Sequence, residues 1–258
     1  MVLVQEYINQ KYPTKEERRN VTKLNLSREK VISMQETMMT MGGFFSPFDF
    51  AENKYFQRHF REVLDCSQQP LEGYLDLRDF VNLRKLNISH NRITGIDISC
   101  CDDLTKLVCS NNFISRLDLT NNLNLEFIDV SKNRISANLS IFSHLRRLEF
   151  LDLEYDLITN LGILEVRIDE GEISGKEAQK EFLKKRIKSE ELGFSASETF
   201  FGSLESLTNC KKLKYLNINY IGEITEGINF LPDSLVKFEC RGTKFEEQLK
   251  PFDYDFQI

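Results

Sequence analysis

Four apolar positions and one asparagine recur at a fixed interval through the middle of this chain. Leu83, Leu86, Ile88, Asn91 and Ile93 return 21 residues later as Leu104, Leu107, Cys109, Asn112 and Ile114. After another 21 they return as Leu125, Ile128, Val130, Asn133 and Ile135. A fourth copy follows after 23 residues, as Leu148, Leu151, Leu153, Asp156 and Ile158. A period in this range rules out most single-core folds and requires a stack of similar units.

The spacing inside each unit says what the units are. Apolar residues alternate at Leu86 and Ile88, at Leu107 and Cys109, and at Ile128 and Val130. Period-two alternation makes a strand with one buried face. One such strand cannot bury that face alone, so neighbouring copies must stack. The turn after each strand leaves backbone groups inside the stack. An asparagine amide both donates and accepts there, so Asn91, Asn112 and Asn133 form a predicted ladder, with Asp156 in the fourth place. An ionised Asp156 accepts but does not donate, which weakens the ladder at that step.

The copies fit the pattern Leu-x-x-Leu-x-Leu-x-x-Asn-x-Leu. In this they resemble the leucine-rich repeats of the short, 21-residue class, in a style similar to intracellular families expanded in some fungi. Ile93-Thr-Gly-Ile96-Asp-Ile98 and Ile114-Ser-Arg-Leu117-Asp-Leu119 match the second half of the unit. The resemblance implies an α/β solenoid, curved and right-handed, with a parallel β-sheet on its concave side. It also implies a protein-binding role.

Weaker copies flank the regular four. Val21-Thr-Lys-Leu24-Asn-Leu26 starts one, and Leu64-Asp-Cys66-Ser-Gln-Gln69-Pro-Leu71 fits part of another, continued by Leu75 and Leu77. Leu213-Lys-Tyr-Leu216-Asn-Ile218 and Leu235-Val-Lys-Phe238-Glu-Cys240 close the series. The expectation is a helical cap over residues 1–20 and a solenoid of about eight irregular copies over 21–258. Leu3, Val4, Tyr7, Ile8 and Tyr12 form the helical stripe of that cap, which Pro13 ends. Phe245 to Leu249, before Pro251, reads as a short helix within a C-terminal cap spanning about 244–258.

Two segments break the period. Residues from about 32 to 60 carry Met34, Met38, Met39 and Met41, then Gly42-Gly43-Phe44-Phe45, and Ser46-Pro47 as a helix start. They read as an insertion on the solenoid. Residues from about 160 to 203 contain the capping box Ser174-Gly-Lys-Glu177 and a stop at Gly193. The helix between them is highly charged, with a thin apolar seam at Ala178, Phe182, Leu183 and Ile187, suited to solvent or a short coiled coil. Leu161 and Leu164 mimic a repeat start but come too soon after Leu148.

Composition excludes several functions. The net charge of −6 lacks the basic excess of a general nucleic-acid binder. No run of about 18 apolar residues is present, so no membrane span is expected. The N-terminus lacks signal-peptide features, and the six cysteines have no metal-finger spacing. The reading is cytoplasmic, with free thiols and no cofactor. There is no P-loop, no Gly-x-Gly-x-x-Gly, no His-Glu-x-x-His and no nucleophile elbow. His59, His90 and His144 lie far apart, and Cys66, Cys109 and Cys240 occupy inward slots. No catalytic or metal-binding residue is assigned.

The outward strand slots are where a partner would bind. Aromatics collect in the later copies as Phe127, Phe150, Tyr155, Tyr215 and Tyr220, with Asp129, Asp152 and Glu154 beside them. Aromatics make good interface anchors, and carboxylates beside them favour a basic or polar ligand. The expectation is a non-enzymatic protein-binding scaffold or recognition module. The alternative is a regulatory or targeting subunit of a signalling enzyme or ubiquitin ligase.

Overall fold

The computed structural model describes residues 2–27, 70–155 and 199–249. Seven three-residue strands form one parallel sheet. In chain order they are β2 (Lys23–Asn25), β4 (Lys85–Asn87), β6 (Lys106–Val108), β7 (Phe127–Asp129), β8 (Phe150–Asp152), β10 (Tyr215–Asn217) and β12 (Lys237–Glu239). Each pairs with the next without a register shift, so Leu24, Leu86, Leu107, Ile128, Leu151, Leu216 and Phe238 line up. The chain is a solenoid of about six turns, with this sheet along one side.

The opposite side is built differently along the coil. At the N-terminal end β1 (Val2–Leu3), β3 (Leu71–Asp76) and β5 (Arg92–Asp97) form a second parallel sheet. Further on, 3-10 turns take over at Leu139–Phe142, Leu204–Leu207 and Ile228–Phe230, beside the small pair β9 (Gly202–Ser203) and β11 (Ile224–Glu226). This accounts for the 23-residue step from Leu125 to Leu148. A 3-10 turn rises about 2 Å per residue against about 3.3 Å for a strand, so crossing the same width takes more residues. Asn138 starts the first such turn by accepting from the Ser140 N–H at 2.9 Å.

Between the two sides lies one continuous core. Leu86, Ile88, Ile93, Leu104, Leu107 and their counterparts in later turns are buried. The three ladder asparagines are buried among them. Asn112 Nδ2 donates to the carbonyls of Ile88 at 2.9 Å, Cys109 at 3.1 Å and Ser110 at 3.2 Å, and its Oδ1 accepts from the Ile93 N–H at 3.0 Å. Asn91 does the same toward Leu26, Ile88, Ser89 and Leu71, and Asn133 toward Cys109, Val130, Ser131 and Ile114. Asp156 lies outside the described residues.

Helix α1 (Val4–Lys11) buries Val4 and Ile8 against the first turn and stops before Pro13. A second helix, α2 (Lys15–Arg19), opens on a capping box in which Thr14 and Glu17 each satisfy the other's backbone N–H. Helix α3 (Lys244–Leu249) closes the far end with Phe245 buried.

The strand count needs a correction. β2 pairs directly with β4, and β4 with β6, so the copy read at Leu64–Leu71 supplies no strand between them. Instead Leu71 completes the turn that β2 begins: its N–H goes to Asn91 Oδ1 as that of Ile93 goes to Asn112 Oδ1. β2 and β4 are thus neighbours in the sheet, with residues 28–69 between β2 and the described chain that resumes at Pro70. β8 likewise pairs directly with β10, and residues 156–198 lie between them in the chain. Residues 199–203, read as part of the second insertion, belong to the coil: Phe200 is buried and Gly202–Ser203 is β9. The methionine-rich stretch, the charged helix at 174–193 and residues 250–258 lie outside the described residues.

Candidate binding surface

Side chains on the outward face of the main sheet fall into straight rows, because parallel strands without register shifts bring equivalent slots together. The first row reads Lys23, Lys85, Lys106, Phe127, Phe150, Tyr215 and Lys237. Its three aromatics stack. The rings of Phe127 and Phe150 lie 4.1 Å apart and 3° from parallel, and those of Phe150 and Tyr215 lie 4.3 Å apart and 6° from parallel. Lysines close both ends: Lys106 Nζ is 4.4 Å from the Phe127 ring centre, and Lys237 Nζ is 5.6 Å from that of Tyr215. Each ring stack contributes about 0.5–1.5 kcal/mol beyond area burial, and each cation–π contact about 0.5–1 kcal/mol.

The second row reads Asn25, Asn87, Val108, Asp129, Asp152, Asn217 and Glu239. Its carboxamides and carboxylates share a local task. Asn25 Oδ1 accepts from the Ser27 N–H and hydroxyl at 3.0 and 2.8 Å, and Asn87 does so from Ser89 at 3.1 and 2.8 Å. Asp129 accepts from Ser131 in the same way, at 3.1 and 2.7 Å, and Asp152 from the Glu154 N–H at 3.0 Å. These contacts turn the chain off the strand.

Charge separates the aspartates from the asparagines. Burial pushes the Asp129 carboxyl above its ordinary range, although Ser131 and Ser110 hydrogen-bond to it. Asp152 is pushed well up, first by burial and then by the charge of Asp129. Glu154 adds to that charge and accepts from Asn217 Nδ2 at 3.2 Å. Burial, with Asp152 and Glu239 nearby, keeps the Tyr215 hydroxyl neutral.

The corner is left-handed after β4, β6, β7, β10 and β12. His90, Asn111, Lys132 and Tyr220 have φ of 54–63°, and Gly242 has φ of 70°. Asn111 Nδ2 and His90 Nδ1 lie 2.8 Å apart along this corner.

The five expected aromatics therefore divide. Phe127, Phe150 and Tyr215 form one ridge, whereas Tyr155 and Tyr220 belong to the corner row. Phe150 is only 6% exposed, since its neighbours cover both faces. It supports the ridge rather than offering contact area. Tyr155 packs partly against the core. Lys106 and Lys237 were left out of the sequence-based patch, though they occupy the same slot as the aromatics.

The buried thiols are unsuited to chemistry. Cys109 is pushed well up by burial, Cys101 to about 12 and Cys210 to about 11. Among the described residues, no group of three or more His, Cys, Asp or Glu could hold a metal ion. Nor is any described helix long and apolar enough to cross a membrane.

Comparison with known proteins agrees with the repeat. Residues 81–121 match the model for leucine-rich repeats, in two copies. The oligodendrocyte-myelin glycoproteins of Homo sapiens and Mus musculus are each 36% identical to this chain over 80 residues, which are 30% of this chain and 18% of theirs. The chain thus matches less than a fifth of those relatives. Among solved structures, an internalin from Listeria monocytogenes aligns over 92% of this chain and 55% of its own, with 19% identity and a TM-score of 0.43. A leucine-rich-repeat protein from Leptospira interrogans aligns over 65% of this chain and 39% of its own, with 16% identity and a TM-score of 0.40.

Proposed function

Since this chain is a leucine-rich-repeat protein, we propose that it is a non-catalytic recognition module that binds a protein partner on the outward face of its main sheet. The observation that carries this reading is the ridge of Phe127, Phe150 and Tyr215, with Asp129 and Asp152 in register beside it. Phe127 and Tyr215 are half-buried and Phe150 holds both rings in place, so a partner meets a pre-ordered apolar edge. Preorganisation lowers the entropy cost of binding. The neighbouring Asp129, Asp152 and Glu154 supply charge to orient the partner. Tyr155 and Tyr220 extend the contact onto the corner.

The test is affinity capture from the native cell extract. Phe127→Ala with Tyr215→Ala should abolish capture while circular dichroism stays unchanged. Leu123→Ala, at a 55% exposed apolar site outside these rows, should leave capture intact. Equal capture by all three proteins would sink this surface.

A further inference from the structure

We propose that the partner segment on this face is an extended, charge-polarised polypeptide running across the strands, its acidic end over β2, β4 and β6 and its basic end over β7 and β8. The proposal rests on the outward-face reading above and names the chemistry of the ligand.

The rows carry the argument. Over β2, β4 and β6 the first row is Lys23, Lys85 and Lys106, and the second is Asn25, Asn87 and Val108, with no carboxylate in either. Both rows change character at β7: the first becomes aromatic and the second becomes Asp129 and Asp152. Past them the charges pair locally, Lys237 Nζ lying 2.6 Å from Glu239 and Lys214 Nζ 2.8 Å from Glu149. By residue type the face thus runs from lysines, through aromatics with carboxylates alongside, to mixed charge.

The aspartates also cost the protein something that asparagine would not. Asn25 and Asn87 make the same turn contacts as Asp129 does, without a charge. Two adjacent carboxylates pushed upward by burial are a liability in the unbound protein. A cationic side chain laid over the pair would relieve the repulsion, and the ridge would take its aliphatic stem. At the other end the lysine row repels a basic segment and attracts an acidic one, which fixes direction as well as affinity. The five strands from β2 to β8, spaced by about 4.8 Å, span about 19 Å, the reach of about six extended residues, so a nine-residue peptide covers them with residues to spare.

The probes are fluorescent nine-residue peptides, each holding a Glu block, a central Phe and an Arg block, made in both chain directions. A peptide of the same composition with its charges interleaved serves as control. Fluorescence anisotropy at low salt should show one blocked peptide bound about tenfold more tightly than the control, and the preference should shrink as salt rises. The variant Lys23→Glu/Lys85→Glu should lose the preference. Blocked and interleaved peptides binding alike, yet both losing affinity in Phe127→Ala, would overturn the polarity and leave the surface standing. No binding by any peptide, with capture from extract still sensitive to Phe127→Ala, would overturn the extended-segment inference alone. Insensitivity of both peptide binding and capture to Phe127→Ala would overturn the surface itself.

Discussion

Asp129 and Asp152 stand side by side in register on β7 and β8, and burial pushes both carboxyls above their ordinary range. Glu154 adds negative charge on this face, Lys132 lies near Asp129, and Asn217 hydrogen-bonds to Asp152. A carboxyl raised in the folded state binds its proton more tightly folded than unfolded. Its contribution to stability is therefore present below the unfolded value and is lost as pH rises through the folded one. Asp152→Asn removes that loss and keeps an acceptor for the Glu154 N–H, as Asn25 and Asn87 do in their turns. The variant should melt about 2–4 °C higher than the parent near pH 7, the equivalent of about 1 kcal/mol in a chain this long. The gap should close toward pH 4. A variant that melts lower at neutral pH would show that the charge is compensated in the folded protein.

The ladder gives a second expectation. Asn112 makes four hydrogen bonds to buried backbone groups in two turns. Asn112→Ala leaves one N–H and several carbonyls without that partner, where water has little access. Each orphaned group costs about 1–3 kcal/mol, so urea unfolding should show a loss of at least about 3 kcal/mol. Asn112→Asp should be no better, because a carboxylate cannot donate to Ile88, Cys109 and Ser110. A loss below 1 kcal/mol would mean that the turns do not depend on this amide.

The regular turns were legible because identical physics repeats in them: the inward Leu86, Leu107 and Ile128 and the ladder asparagines recur at one spacing. The sequence misled where the pattern recurs by chance. Leu64 and Cys66 alternate like a strand, but only the β2–β4 pairing shows that no strand fits between those neighbours. Helix α2 could have been found, since Thr14-Lys-Glu-Glu17 is a capping box directly after Pro13. The aromatic slots were readable from the repeat. Their division into a ridge and a corner was not, because it depends on positive φ at Tyr220 and on ring stacking between turns.

Thiol reactivity follows from burial. Cys101, Cys109 and Cys210 are fully buried and held in the neutral thiol form, whereas Cys100 is exposed. The thiolate is the reactive species. Brief treatment with iodoacetamide at pH 8, followed by peptide mass mapping, should modify Cys100 and spare those three until denaturant is added. Early modification of Cys109 would show that the turns between β6 and β7 open readily.

The insertion after β2 supplies the strongest test of the turn assignment. Leu71 occupies the place in its turn that Ile93 occupies in the next, seven residues beyond the strand centre at Leu86. Replacing residues 28–69 by the dipeptide His-Asn would put Leu71 seven residues beyond Leu24 and place an asparagine in the ladder position. The stack should then close as an ordinary turn, because β2 already pairs with β4 and the buried Leu24, Leu26, Leu71 and Leu75 all remain. The shortened chain should keep its circular dichroism spectrum and unfold cooperatively, within about 4 °C of the parent, roughly 1 kcal/mol. A chain that aggregates or loses its transition would show that residues 28–69 are needed to hold the first turn. A matching result would establish that β2 starts a turn like those of β4, β6 and β7, one residue longer at 22.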